Sequence, residues 1–205
     1  MGLSYLGQAL VLGLSAALLP GALQAFFLAQ TLRLGWVRAL PLALTPLLSD
    51  GPLVVVTLWL LGRLPPAWVH VLELGGGVYL LYLAWGLARQ PVSDTSALDT
   101  GASQVRTLFQ AVTINWLNPN PYIFWATVLG PLVLEGWRVH PSWGLGFIAI
   151  FYVTMLGGNA VLIWMFGRLG RLPLRWRRMT IRGAALILAG FGVRFLLKGF
   201  RFWFP

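Results

Sequence analysis

The stretch INWLNPNPYIFW, residues 114–125, sets three asparagines and two prolines inside a run that is otherwise apolar from Thr107 to Leu134. Asn115, Asn118 and Asn120 carry amide side chains, and Pro119 lacks a backbone donor, so a helix is interrupted where neutral hydrogen-bonding groups gather. A second interruption is LLPGAL, residues 18–23, with Pro20-Gly21 at its centre and Gln24 one turn further on. Asp50 stands near the middle of another apolar run, in TPLLSDGPLV, and Asn159 follows a Gly-Gly pair in a fifth. An ionised carboxylate at that depth in lipid costs about 2.5–3.5 kcal/mol on insertion scales, which makes Asp50 a candidate proton carrier or counter-ion for an ammonium. The plainer alternatives are a proline kink satisfied by neighbouring helices and a structural, amide-bonded Asp. A lone proline favours the kink; Asn-Pro-Asn-Pro preceded by Asn115 favours a site.

The elements that must position these residues are membrane spans. Of 205 residues, 58% are hydrophobic and 10% charged, with a mean hydropathy of +0.77. A soluble domain carries about 25% charged residues, so the chain reads as an all-α integral membrane protein. Six spans can be drawn at about Leu3–Thr31, Val37–Leu61, Ala67–Ala88, Thr107–Leu134, Trp143–Phe166 and Thr180–Leu197. The first run lacks the basic n-region of a signal peptide and reads as a mature helix. Residues 90–106 form the one long connection, read as a cytoplasmic linker between a first three-helix half, 1–89, and a second, 107–205, within a single membrane domain. Halves with three spans each insert in opposite senses, which is the geometry of a 3+3 inverted repeat. Pro20 with Phe26, and Pro119 with Trp125, repeat one spacing in the broken helices one and four; Thr45–Asp50 and Thr154–Asn159 repeat another. GGGV (75–78) and GAAL (183–186) are expected to open spans three and six.

Charge sets the orientation. The connections after spans one, three and five hold Arg33, Arg38, Arg89, Arg106, Arg168, Arg171, Arg175, Arg177, Arg178 and Arg182. The opposite side has Arg63, Arg138, Arg194, Lys198 and Arg201. The odd connections are therefore expected in the cytoplasm and both termini outside. The net charge of +10 is accounted for by this distribution, so nucleic acid is not expected as a partner. Most tryptophans fall near span ends; Trp116 and Trp125 do not, and are expected to face a cavity or pack between helices. Glu73, with His70 nearby, lies close enough to the outer interface to be hydrated.

These residues resemble the lysine-exporter (LysE/RhtB-type) amino-acid translocators. The likeness rests on Pro20-Gly21, Asp50, GGGVYLLYLAWGLAR (75–89), FQAVTINWLNPNPYIFW (109–125) and the glycine-bearing last span. It implies about six spans and the proton-driven export of amino acids or related small metabolites across the bacterial inner membrane. Three positions depart from the family's pattern: Ala22 stands where Pro-Gly-Pro ends, Ser49 where Gly precedes the Asp, and Asn120 where a basic residue often follows Asn-Pro. The acid is kept, so proton coupling is still implied, while the substrate range is left open.

The leading reading is a secondary transporter whose partners are a small zwitterionic solute, protons and the bilayer, with a homodimer as a further partner. Asp50 carries the proton or pairs with the ammonium; Asn115, Asn118, Asn120, Asn159 and Gln24 supply hydrogen bonds; Pro20, Gly21 and Pro119 free backbone groups. A divalent-metal transporter needs clustered carboxylates, His or Cys, whereas the chain has one deep Asp and no Cys. An intramembrane enzyme needs a nucleophile–base pair, and His70 and His140 both lie near span ends. A non-transporting assembly subunit has no need of paired breaks. Neither a cofactor nor a metal is expected.

Overall fold

A computed structural model describes residues 2–59, 66–89, 101–169 and 173–203; within these the chain is helical, with no strand. Helices α1 (Gly2–Leu18) and α2 (Ala22–Leu34) are the two parts of the first run, bent by 61° at Leu19-Pro20-Gly21. After Gly35, whose φ of 81° lies in the left-handed region open to glycine, come the short α3 (Trp36–Ala39) and a 3-10 turn, Leu40–Leu44. Then follow α4 (Thr45–Trp59) and α5 (Pro66–Arg89). The second half has α6 (Gly101–Trp116), α7 (Pro119–Phe124), a π-helical turn (Trp125–Leu129) and α8 (Gly130–Val139). It closes with α9 (Pro141–Leu169) and α10 (Leu174–Trp203). Prolines begin α5, α7 and α9, where a missing N–H has no helical partner to lose.

Several sequence expectations change at this level. The second run is not one helix: Pro41 and Pro46 divide it into α3, the 3-10 turn and α4, so Asp50 lies near the start of a shorter helix. Residues 101–106, assigned to the linker, are the first turns of α6, because no proline or glycine past Gly101 stops the helix there. The rest of the linker, 90–100, lies outside the described residues. GGGV and GAAL do not open their helices. Each lies at the same depth inside one, Gly75 counted from Pro66 and Gly183 from Leu174.

Among the described residues, three helices are long and apolar enough to cross a membrane: His70–Arg89 within α5, Pro141–Leu169, and Leu174–Arg201 within α10. The bent pair α1–α2 makes a fourth if it is one span. Large apolar side chains such as Leu14, Val55, Val78, Val161 and Leu186 are exposed on the outside, as a lipid-facing surface requires.

Small residues set the close packing. The most extensive pair is α5 with α10, and a Cβ added at Gly77 would lie 2.8 Å from the Gly192 carbonyl. The next is α1 with α9, where Gly13 faces the Phe151 carbonyl and Gly158 faces the Ala17 methyl. Two apolar clusters result. One joins α2, α3, the 3-10 turn, α5, α6, α10 and Ile163 of α9; the other joins α1, the Trp125–Val133 region and the Phe147–Met155 part of α9. Ile114 belongs to the first and Trp125 to the second, so the residues flanking the Asn-Pro stretch lie at the seam.

Candidate functional site

The second break is built by side chains that replace the backbone bonds it loses. α6 ends at Trp116, and the Trp116 carbonyl accepts from the Tyr122 hydroxyl at 2.9 Å. Asn118 is the N-cap of α7, its Oδ1 accepting from the Asn120 N–H at 3.0 Å. Pro119 occupies the first position of α7, so it starts a helix as much as it breaks one. The break is thus a capped joint, held on its other side by α5: a Cβ at Gly76 would meet the Leu117 carbonyl oxygen at 2.5 Å.

Against this joint α4 places Ser49 and Asp50, both buried. The Asn115 amide donates to Ser49 Oγ at 2.6 Å and to Asp50 Oδ1 at 3.0 Å. Tyr152 on α9 donates its hydroxyl to Asp50 Oδ2 at 2.9 Å. The Ser49 hydroxyl, with one proton to give, lies 2.9 Å from the Thr45 carbonyl and 3.2 Å from Asp50 Oδ1. The Trp116 indole donates to the Ser49 carbonyl at 2.9 Å. The indole of Trp125, in the first position of the π-helical turn, approaches the same carboxyl.

The chemistry of this set is specific. Both Asp50 oxygens receive neutral donors, and among the described residues no Lys, Arg or His forms an ion pair with it. A carboxyl held this way can take up and release a proton, or accept one ammonium, without breaking a resident salt bridge. Among the described residues no three His, Cys, Asp or Glu side chains gather where they could hold a metal ion.

The predicted site residues divide into two groups. Asp50 and Asn115 come together directly, with Asn118, Pro119 and Asn120 at the adjoining joint. Pro20, Gly21 and Gln24 are at the first break, where the Gln24 amide donates to the Ala17 carbonyl at 3.3 Å and so closes the end of α1. Asn159 belongs with that break, next to Gly158, which faces Ala17. Asn159 is 1% exposed, and its Oδ1 has no hydrogen-bond partner among the described residues. No hydrogen bond joins it, or Gln24, to Asp50.

Glu73 corrects an expectation. It is not hydrated at an interface but buried between α5 and α10, with His70 Nδ1 at 2.9 Å and Lys198 Nζ at 3.8 Å. The α5–α10 crossing encloses it, which its place in the sequence alone could not show.

Sequence reasoning missed Tyr152 and Tyr122, and it met Ser49 only as a departure from a family pattern. Trp116 and Trp125 were flagged by their distance from span ends, and both prove to contact the Asp50 region. For Tyr152 a signal existed: a phenol deep in an apolar run needs a partner for its hydroxyl.

Among known proteins, neither a curated protein nor a solved structure matches the chain. A family model does, that of the LysE type translocator, over residues 14–199, nearly the whole sequence. With both breaks and Asp50 inside the matched region, the chain belongs to the LysE type translocator family and is a multi-pass membrane translocator, not an enzyme.

Proposed function

We propose that this translocator exports amino acids or related small metabolites across the bacterial inner membrane by exchange for protons. The observation that carries the reading is Asp50: buried, held by Asn115 and Tyr152, and set beside a helix joint. Inbound protons neutralise it; their release follows passage of the solute. Asn115, Asn118, Asn120 and Asn159 offer the solute uncharged hydrogen bonds, and the unpartnered Asn159 Oδ1 is an acceptor suited to an ammonium or a bridging water.

Alternating access runs across two three-helix halves, with α3–α4 and α6–α8 as the remaining two of six crossings. The packing supports this arrangement. Span two lies on span four through α4 and α6, and span five lies on span one through α9 and α1, as exchange of the halves requires. Asp50 beside the second break and Asn159 beside the first are then equivalent positions. The odd connections and the linker face the cytoplasm, and a homodimer is the assembly proposed.

The test is growth of an overexpressing bacterial strain on a panel of inhibitory amino acids and analogues. At least one solute should become less toxic, and less of it should accumulate in the cell. No protection by any solute would refute the exporter reading in favour of an ion carrier or a subunit.

Tyr152→Phe should slow gradient-driven export by roughly tenfold, since a hydrogen bond to a charged group contributes about 1.5–3 kcal/mol. The ring packing on Phe151, 5.3 Å between centroids, is kept. Initial rates in proteoliposomes check this, and an unchanged rate would remove Tyr152 from the site.

A further inference from the structure

At the end of the bundle that the arginine count assigns to the cytoplasm, a hollow of about 110 Å³, apolar over most of its wall but carrying several polar side chains, lies between α2, α5, α6 and α10. Its polar lining is Gln30, Arg33, Tyr82, Trp85, Arg106 and Gln110, and no Asp or Glu is among the described lining residues. Gln30 is 4% exposed. Its Oε1 accepts from Arg33 Nη1 at 3.2 Å, which leaves the NH2 end of the amide to donate. Arg89 lies over the ring of Trp85, one of the lining residues, its Cζ 3.9 Å from the centroid.

Two guanidinium groups, two amides and an indole-bearing wall make a site for an oxyanion, because the arginine fork matches two coplanar oxygens. Arginines that only anchor a protein to lipid headgroups extend outward and need neither a hollow nor a buried glutamine. With about 30 Å³ per water-sized group, the volume admits a carboxylate and the atoms next to it. Phe26, Gln30 and Arg33 follow one another at helical spacing, so one face of α2 leads from this hollow toward Pro20-Gly21. From Gln30 to Gly21 the rise is roughly 13 Å.

We propose that this cavity is the inner receiving site of the translocator, where Arg33 and Arg106, with Gln30 and Gln110, take the carboxylate of an amino-acid-like solute. The solute then moves along α2 to the midplane. The proposal rests on the exporter reading and specifies its substrate class: the solute must carry a free carboxylate.

The experiment measures thermal unfolding of the purified full-length protein with each proteinogenic amino acid, each amino-acid amide, inorganic phosphate and phosphatidylglycerol. At least one amino acid should raise Tm and its amide should not. The Arg33→Gln/Arg106→Gln double variant should lose that shift, and Asp50→Asn should keep it. Arg106→Gln alone, at an exposed position, should lose part of it, which keeps the test open if the double variant folds poorly. In proteoliposomes Arg106→Gln should raise KM for solute presented on this face by about tenfold, with kcat little changed, as loss of one charged hydrogen bond predicts. Equal stabilisation by the amide, or a shift that survives in the arginine variants, would overturn the proposal. So would a shift produced by phosphate or phosphatidylglycerol alone and lost in those variants, which would make the cavity a lipid-headgroup site. A carboxylate-dependent shift in a protein that transports nothing would instead sink the exporter reading and leave the carboxylate site standing.

Discussion

Asp50→Asn should abolish the proposed proton-driven export and leave the protein folded. The two side chains have the same shape, and the site offers the amide nearly what it offers the carboxyl. Asn115 donates at 3.0 Å to one oxygen, a bond the amide oxygen can still accept. At the other position Tyr152, whose hydroxyl donates at 2.9 Å to Asp50 Oδ2, can reverse and accept from the new NH2. The thermal midpoint should therefore shift by no more than about 1 kcal/mol of stability equivalent. What the variant lacks is a group that binds and releases a proton. With no ion pair to Asp50 among the described residues, nothing else in the cluster takes over that role. Export driven by an acid exterior should fall to background, whereas solute-for-solute exchange, which needs no net proton movement, should persist within about tenfold of wild type. Asp50→Leu is the contrasting case. It strands the Tyr152 hydroxyl and leaves the Asn115 amide with Ser49 Oγ as its remaining acceptor, at about 1–3 kcal/mol for the unsatisfied group, and should lower expression as well as transport. Wild-type export by Asp50→Asn under an imposed proton gradient would end the coupling role.

Asp50 as an acid within an apolar run, the two breaks and the class of protein were legible in the sequence because lipid penalises polar and helix-breaking residues one at a time. Such a residue declares itself without knowledge of its neighbours. Partnerships were not legible in that way. The repeated spacings paired Asp50 with Asn159 but did not say which break each would adjoin; the packing sets Asp50 against the Asn-Pro joint and Asn159 at the first break. Tyr152 lies 102 positions from Asp50, and only the docking of α9 brings them together. The prolines misled in a second way. Pro119 looks like an interruption but begins a helix, while Pro41 and Pro46 divide a run that hydropathy alone reads as continuous. Hydropathy reports whether a segment tolerates lipid, and proline position reports where its hydrogen bonding can start; a span needs both.

Gly76→Val should be among the most damaging single substitutions outside the polar cluster, and Gly76→Ala should separate its two effects. A Cβ at Gly76 would lie 2.5 Å from the Leu117 carbonyl oxygen and 3.3 Å from the Leu117 carbonyl carbon. The obstacle is backbone, which cannot rotate aside as a side chain can, so α5 or the joint must move. Overpacking of this kind costs about 1–3 kcal/mol for small insertions, and a β-branched side chain adds to it. The displacement would fall on Leu117, two residues from Asn115, whose bonds of 2.6 Å to Ser49 and 3.0 Å to Asp50 tolerate little movement. Gly76→Ala should therefore fold with a lower Tm and transport poorly, and Gly76→Val should not accumulate as folded protein. The neighbouring glycines supply the control. At Gly75 the nearest atom to an added Cβ is Leu117 Cδ2 at 3.9 Å, and at Gly183 nothing lies within 4 Å. Alanine at either position should be neutral or stabilising by up to about 1 kcal/mol, the helix-propensity gain over glycine. Thermal unfolding and export rates for the three alanine variants decide the matter. If Gly76→Ala behaves like Gly75→Ala, then α5 does not hold the joint, and the geometry of Asp50 must depend on α4 and α9 alone.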